Sequence, residues 1–240
     1  MKERPILMNG AMVRATLAGS KTQTRRVVKM PPSWDCMVYA DWGSGMWPYR
    51  SDDGESPNYD NDEIPLACPY GMPGDRLWVR ETFGEFIDHE TINGQSMELG
   101  RDLVYRADNG ARVSTKWTPS IFMPRAASRI LLEIVSVRVQ RLNDCSEADA
   151  KAEGVLQLDA DHSPRPDART KDGWSLCSTC AGTGLRSTLG AGGGVNFDVD
   201  CTNCDTHLKL YRHLWEAING AGSWDANPWV WCVEFERVTP

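Results

Sequence analysis

The chain has 240 residues, with 26 Lys and Arg against 33 Asp and Glu, and its formal net charge is −7. Its 41% hydrophobic and 25% charged residues are an ordinary globular composition, enough to build one core domain over 1–240 with insertions. No stretch approaches the roughly 18 uninterrupted apolar residues of a membrane span, Met1-Lys2-Glu3-Arg4-Pro5 has no apolar signal run, and the acidic balance argues against coating nucleic acid through bulk charge, so a cytoplasmic protein is expected.

In chain order, Asn9 to Gly19 predicts a short helix with Asn9 as N-cap and Gly19 as its stop. Lys21 to Val28 then runs extended. Residues 30–66 are rich in Pro, Gly, Asp and Trp without sustained periodicity, which predicts a surface insertion pinned by Trp34, Trp42 and Trp47. Strands are expected at Arg76–Glu81, Leu103–Arg106 and Ile130–Leu142, the last with Ile130, Leu132 and Ile134 on one face. Ser146 starts a small helix, with Asp149 as the acidic member of a capping box and Gly154 beyond its end. A second insertion fills 155–204. Leu208, Tyr211, Leu214, Trp215 and Ile218 fall at helical spacing before Asn219-Gly220, and Trp229 to Val238 reads as a final strand. Several strands, few short helices and no βαβ alternation predict an α+β fold, a small mixed or barrel-like sheet with helices at its rim.

Four of the eight cysteines form two C-x-x-C pairs, Cys177/Cys180 and Cys201/Cys204, twenty residues apart, the pattern of a four-thiolate zinc knuckle. With four ligands and no open position, the expected Zn2+ is structural. Gly182 and Gly184 suit a chain doubling back beside sulfur, and Gly192 to Gly194 suit a flexible far end. His207, three residues after Cys204, is a spare ligand candidate. Cys36, Cys68, Cys145 and Cys232 are scattered singly.

Between Glu3 and Asp35 no acidic residue occurs, whereas Arg4, Arg14, Lys21, Arg25, Arg26 and Lys29 are basic, a local patch that suggests an anionic or nucleotide-like ligand. Within it, Lys21 lies just past a helix end, where it can fold back to a hydroxyl such as that of Thr24. A threonine becomes a nucleophile when a base takes its proton, and neighbouring cations and burial would lower the pKa of a lysine towards that task. In a regular strand Lys21 and Thr24 point to opposite faces, so their pairing needs Lys21 in the turn. Glu153, at the end of the small helix, faces the negative end of the helix dipole, so another group is expected to hold it.

Leu17 to Arg26 resembles the opening motif of ASCH domains, small β-barrels related to the PUA fold. Gly74 to Arg80 is similar to their Gly-Asp turn and following strand. Ile134–Arg141, Ser146–Glu153 and Trp229–Phe235 resemble the rest of the barrel, and the whole chain resembles larger ASCH proteins of tailed bacteriophages and prophages. One bacterial ASCH group hydrolyses N4-acetylcytidine. That resemblance implies Lys21 as base, Thr24 as nucleophile, Glu153 as supporting carboxylate and Arg26 as a substrate contact. Other ASCH proteins bind or cleave RNA, in which case Arg25 and Arg26 would contact phosphate and exposed aromatics would stack on bases. A third reading is an accessory protein that binds a host protein or a modified nucleotide through its insertions.

Overall fold

The computed structural model describes residues 1–41, 45–57, 65–92, 95–108, 116–155, 177, 179–180, 185–189 and 195–238. In chain order its elements are β1 (Glu3–Leu7), α1 (Gly10–Leu17), β2 (Gln23–Val27), β3 (Cys36–Asp41), β4 (Met46–Ser51), β5 (Arg76–Arg80), β6 (Phe83–Ile92), β7 (Gln95–Tyr105) and β8 (Trp117–Thr118). They continue with β9 (Leu131–Arg141), α2 (Glu147–Ala152), β10 (Leu185–Leu189), β11 (Val195–Asp200), α3 (His207–Asn219) and β12 (Trp229–Arg237). The largest sheet has the order β1-β5-β9-β12-β2, with smaller sheets β7-β6-β8, β3-β4 and β10-β11. The fold is mixed α+β and mostly sheet, and no closed barrel is formed among the described residues. No described helix is long and apolar enough to cross a membrane.

The chain divides into two compact units. The first comprises Met1–Gly19, Ala67–Val137 and Val233–Pro240. There β1 runs parallel to β5, Glu3 opposite Arg76 and Leu7 opposite Arg80, and β5 runs antiparallel to β9. Period-2 alternation puts Leu77 and Val79 of β5, and Leu132 and Ile134 of β9, into the core, while Glu133 and Val135 face outward. Asn9 caps α1, its Oδ1 accepting from Met12 N at 2.9 Å, and Gly19 leaves the helix at φ +76°. Sequence reasoning foresaw only the end of the long β6–β7 hairpin, because its polar and charged residues, from Glu85 to Asp102, carry little apolar signal.

The Gly-Asp turn is fixed by charge. Asp75 accepts from Lys2 N and from Arg4 Nη1, each at 2.7 Å. At Gly71 (φ +122°), a Cβ would lie 2.8 Å from Arg4 Nη1, so a side chain there would collide with this contact. The Arg4 hydrogen bond, helped by the Lys2 N–H, lowers the Asp75 pKa to about 2. Stability from this carboxylate is therefore present above its unfolded value and lost as pH falls from about 4 towards 2. Asp75→Asn should be less stable than wild type at pH 7, and denaturant titrations at stepwise lower pH should show the two converging. A gap that persists at pH 2 would contradict this.

The second unit comprises Ser20–Leu66 and Arg138–Cys232. Where an aperiodic insertion was expected at 30–66, β3 and β4 form a regular antiparallel hairpin, Cys36 opposite Ser51 and Asp41 opposite Met46. The pattern was hidden because Trp47, Pro48 and Tyr49 are consecutive and all buried, which removes the alternation. Trp47 meets Trp231 edge-on at 5.4 Å and Tyr39 stacks on Trp229 at 4.3 Å. Trp34 is half-buried, and Trp42 lies outside the described residues.

The Ser146–Asp149 capping box of α2 forms as expected. Thr206 caps α3, which buries Leu210, Tyr211 and Trp215, whereas Ile218 in its last turn is 44% exposed. The segment between the cysteine pairs carries the β10–β11 hairpin rather than a plain loop. Gly182, Gly184 and Gly192 to Gly194 lie outside the described residues.

Candidate active site and metal centre

Lys21 does not belong to β2. It sits just before the strand, in an isolated antiparallel bridge with Glu153, and Thr22 N donates to Ala152 O at 2.9 Å. The fully buried Lys21 Nζ donates to Gln23 O (2.7 Å), Glu153 O (2.9 Å) and Glu153 Oε2 (3.0 Å). Glu153 is the C-cap of α2, so this ammonium also meets the negative end of the helix. That answers the question raised by a carboxylate in this place. Burial pushes the Lys21 pKa below its ordinary value, although Glu153 opposes the shift.

A closed circuit of side chains extends from this pair. Arg25 Nη1 donates to Glu153 Oε1 at 3.3 Å, and its Nη2 lies 3.3 Å from Asp149 Oδ2. Arg138 Nη2 donates to Asp149 Oδ1 (2.7 Å) and to Gln23 Oε1 (3.2 Å), which returns to the residue whose carbonyl receives Lys21. Three cations, Lys21, Arg25 and Arg138, thus share two carboxylates. The charges of Arg26 and Arg25 add to burial in favouring a neutral Lys21. Tyr211 lies 5.9 Å from the Arg25 guanidinium, and burial raises its pKa well above the ordinary value. Burial likewise pushes the neighbouring Cys145 and Cys232 thiols up to about 12.

Sequence reasoning gave Arg25 a role at phosphate, but its side chain has no exposed surface and is turned inward onto Glu153 and Asp149. Arg26 is only half-buried, its Nη1 donating to Arg25 O at 3.4 Å. Thr24 is fully buried and its Oγ1 has no hydrogen-bond partner among the described residues. Strand alternation puts Thr24 on the face opposite Gln23 and Arg25, so the site joins Lys21 to Glu153 without a Lys21–Thr24 hydrogen bond. Asp149 and Arg138 were not foreseen as members. The capping role of Asp149 accounted for its charge, and Arg138 was read only as part of the Ile130–Leu142 strand.

The four paired cysteines are buried, and their sulfurs all lie within 4.8 Å of one another. Cys177 Sγ is 3.8 Å from Cys201 Sγ and Cys180 Sγ is 3.4 Å from Cys204 Sγ. A tetrahedral zinc with Zn–S bonds of about 2.3 Å requires sulfurs about 3.8 Å apart, so this donor set fits that ion. Burial pushes the Cys201 and Cys204 thiols up. His207 is not part of this cluster, and its Nδ1 lies 2.9 Å from Glu147 Oε1.

The cysteine loop is tied to α3, and α3 to α2. Lys209 Nζ donates to Thr202 O at 2.7 Å, and His213 Nε2 lies 3.1 Å from Asn203 O. Glu147 of α2 accepts from the first amides of α3, His207 N at 2.5 Å and Leu208 N at 3.0 Å. The cysteines, Ala150 of α2, Tyr211 of α3 and Cys232 of β12 belong to one buried cluster. Comparison with family models, curated proteins and solved structures returned no match to the chain.

Proposed function

We propose that this is an ASCH-type amidohydrolase, related to PUA-like barrels, that acts on an acylated cytosine nucleoside or a related modified nucleotide. The observation that carries the reading is the buried Lys21–Glu153 pair, in which a lysine of lowered pKa is held by a carboxylate. A neutral Lys21 amine keeps two N–H donors for its acceptors and gains a lone pair. When substrate binding brings Thr24 within its reach, Lys21 takes the Thr24 proton as Oγ1 attacks the acyl carbonyl. The C–N bond then breaks, the proton passes to the departing cytosine amine, and water hydrolyses the acyl-threonine ester. Glu153 stabilises Lys21 while it carries the proton, and the half-buried Arg26 contacts the nucleoside. The four cysteines hold a structural Zn2+, whose chemistry when bound is to crosslink its segment. The substrate class suits a cytoplasmic protein.

The test is release of cytidine from N4-acetylcytidine and longer-acyl analogues. Lys21→Ala and Thr24→Ala should each reduce kcat/KM by at least about 100-fold. In wild type, kcat/KM should rise with pH along a limb lying below the ordinary lysine pKa, because the base must be neutral. No release from folded, zinc-loaded protein would sink the reading. One observation favours a second reading, a cleft that binds RNA or a modified nucleotide without turnover: all three Lys21 protons are already engaged and Thr24 is not bonded to it. Binding that weakens steeply with salt, without product, is the signature of that alternative.

A further inference from the structure

Arg138 orients two glutamine amides in a way that leaves their donors unused. Its Nη2 donates to Gln23 Oε1 at 3.2 Å and its Nε donates to Gln140 Oε1 at 3.1 Å. Arginine has no acceptor, so both amide oxygens must face the guanidinium and neither amide can be turned round. Their nitrogens consequently point away from it. Both Nε2 atoms are buried and have no hydrogen-bond partner among the described residues, and Gln23 as a whole is only 2% exposed. Buried N–H donors without acceptors are uncommon in native proteins because leaving water costs them their hydrogen bonds. The network is open at one end, since the Arg138 side chain is 33% exposed and Gln140 is half-buried, whereas Gln23 lies at the closed end.

We propose that Gln23 and Gln140 are ligand-recognition residues whose Nε2 groups donate to carbonyl oxygens of a bound heterocyclic base or of its acyl substituent. The two donors are neutral amide N–H groups, for which a carbonyl oxygen is a matching acceptor. An acylated cytosine carries two such oxygens, one on the ring and one on the acyl group. The choice of that ligand rests on the amidohydrolase reading. The requirement for an acceptor rests on the glutamines alone.

Gln23→Glu and Gln140→Glu separate recognition from support, because each keeps an oxygen facing Arg138 and exchanges the N–H donor for a charged oxygen. Gln23→Met and Gln140→Met remove the donor without adding charge. The measurements are calorimetric binding of cytidine, KM and kcat on N4-acetylcytidine, and the thermal midpoint. Each Glu variant should raise KM on N4-acetylcytidine by about tenfold or more, and the variant of the glutamine that meets the ring carbonyl should weaken cytidine binding by as much, with midpoints no lower than wild type. If wild type binds cytidine but does not turn over the acetylated nucleoside, and that variant loses binding, the recognition site stands and the amidohydrolase reading falls. If wild type turns over and the folded variants keep wild-type KM and cytidine affinity, the donors face internal water and the proposal is overturned. Absence of both cytidine binding and turnover in folded wild type overturns it as well.

Discussion

Glu153→Gln is expected to lower unfolding stability by about 3–5 kcal/mol at neutral pH, the cost of removing one member of a buried ion pair. Glu153 serves both Lys21 and Arg25, neither of which has exposed side-chain surface. Without the carboxylate, Arg25 is left with Asp149 and Lys21 with the carbonyls of residues 23 and 153. Lys21 can escape by losing its proton, whereas Arg25 cannot. The variant should therefore depend on pH. The folded state disfavours the charged lysine, so above the folded pKa the unfolded chain binds more protons and stability rises with pH until the ordinary lysine value is reached. Glu153 opposes the lowering in wild type, so the rising window of Glu153→Gln should begin at lower pH. Urea unfolding of both proteins from pH 6 to 9 would test this. Equal stability and equal slope across that range would mean that the pair does not hold the site together.

The parts of this site that were legible in sequence are those where a residue violates a local preference. Glu153 stood at the wrong end of a helix dipole, which demanded a partner, and Lys21 lay where a chain leaving a helix can turn back. The capping box at Ser146 and Asp149 is local and was read directly. Arg25 was misread because a run of basic residues carries no record of which side chain turns inward; the acceptors that capture it, Asp149 and Glu153, lie more than a hundred residues away. The β3–β4 hairpin escaped for a related reason. Its strand is covered on both faces at Trp47, Pro48 and Tyr49, so the period-2 signal that marks β9 is absent. β1 was missed too, since only Ile6 of its five residues is buried and its pairing with β5 is parallel and distant in sequence. The cysteine pairs were the most readable feature, because ligand spacing is local even when the hairpin between them is not.

Metal removal is expected to have the other large effect, and to reach beyond the cysteines. Apparent zinc-binding free energies in small finger peptides are about 10–16 kcal/mol at pH 7, comparable with the whole stability of an ordinary domain, about 5–15 kcal/mol. Purified protein should hold one zinc per chain, and Cys177→Ser should abolish that stoichiometry. Chelation should free the Cys201–Cys204 loop, and with it the anchors that Lys209 and His213 make to Thr202 and Asn203. The first turn of α3 should then lose its order, which removes the amides that Glu147 holds and slackens Tyr211 beside Arg25. Hydrogen exchange should accordingly accelerate most in the first turn of α3, and to a smaller degree at the Thr22 and Glu153 amides, which hydrogen-bond to Ala152 and Asp149. Protection that is unchanged in α3 after complete metal loss would show that the helix stands without the ion. Loss confined to α3, with Thr22 and Glu153 as protected as before, would show that the metal supports its own segment and leaves the Lys21–Glu153 pair alone.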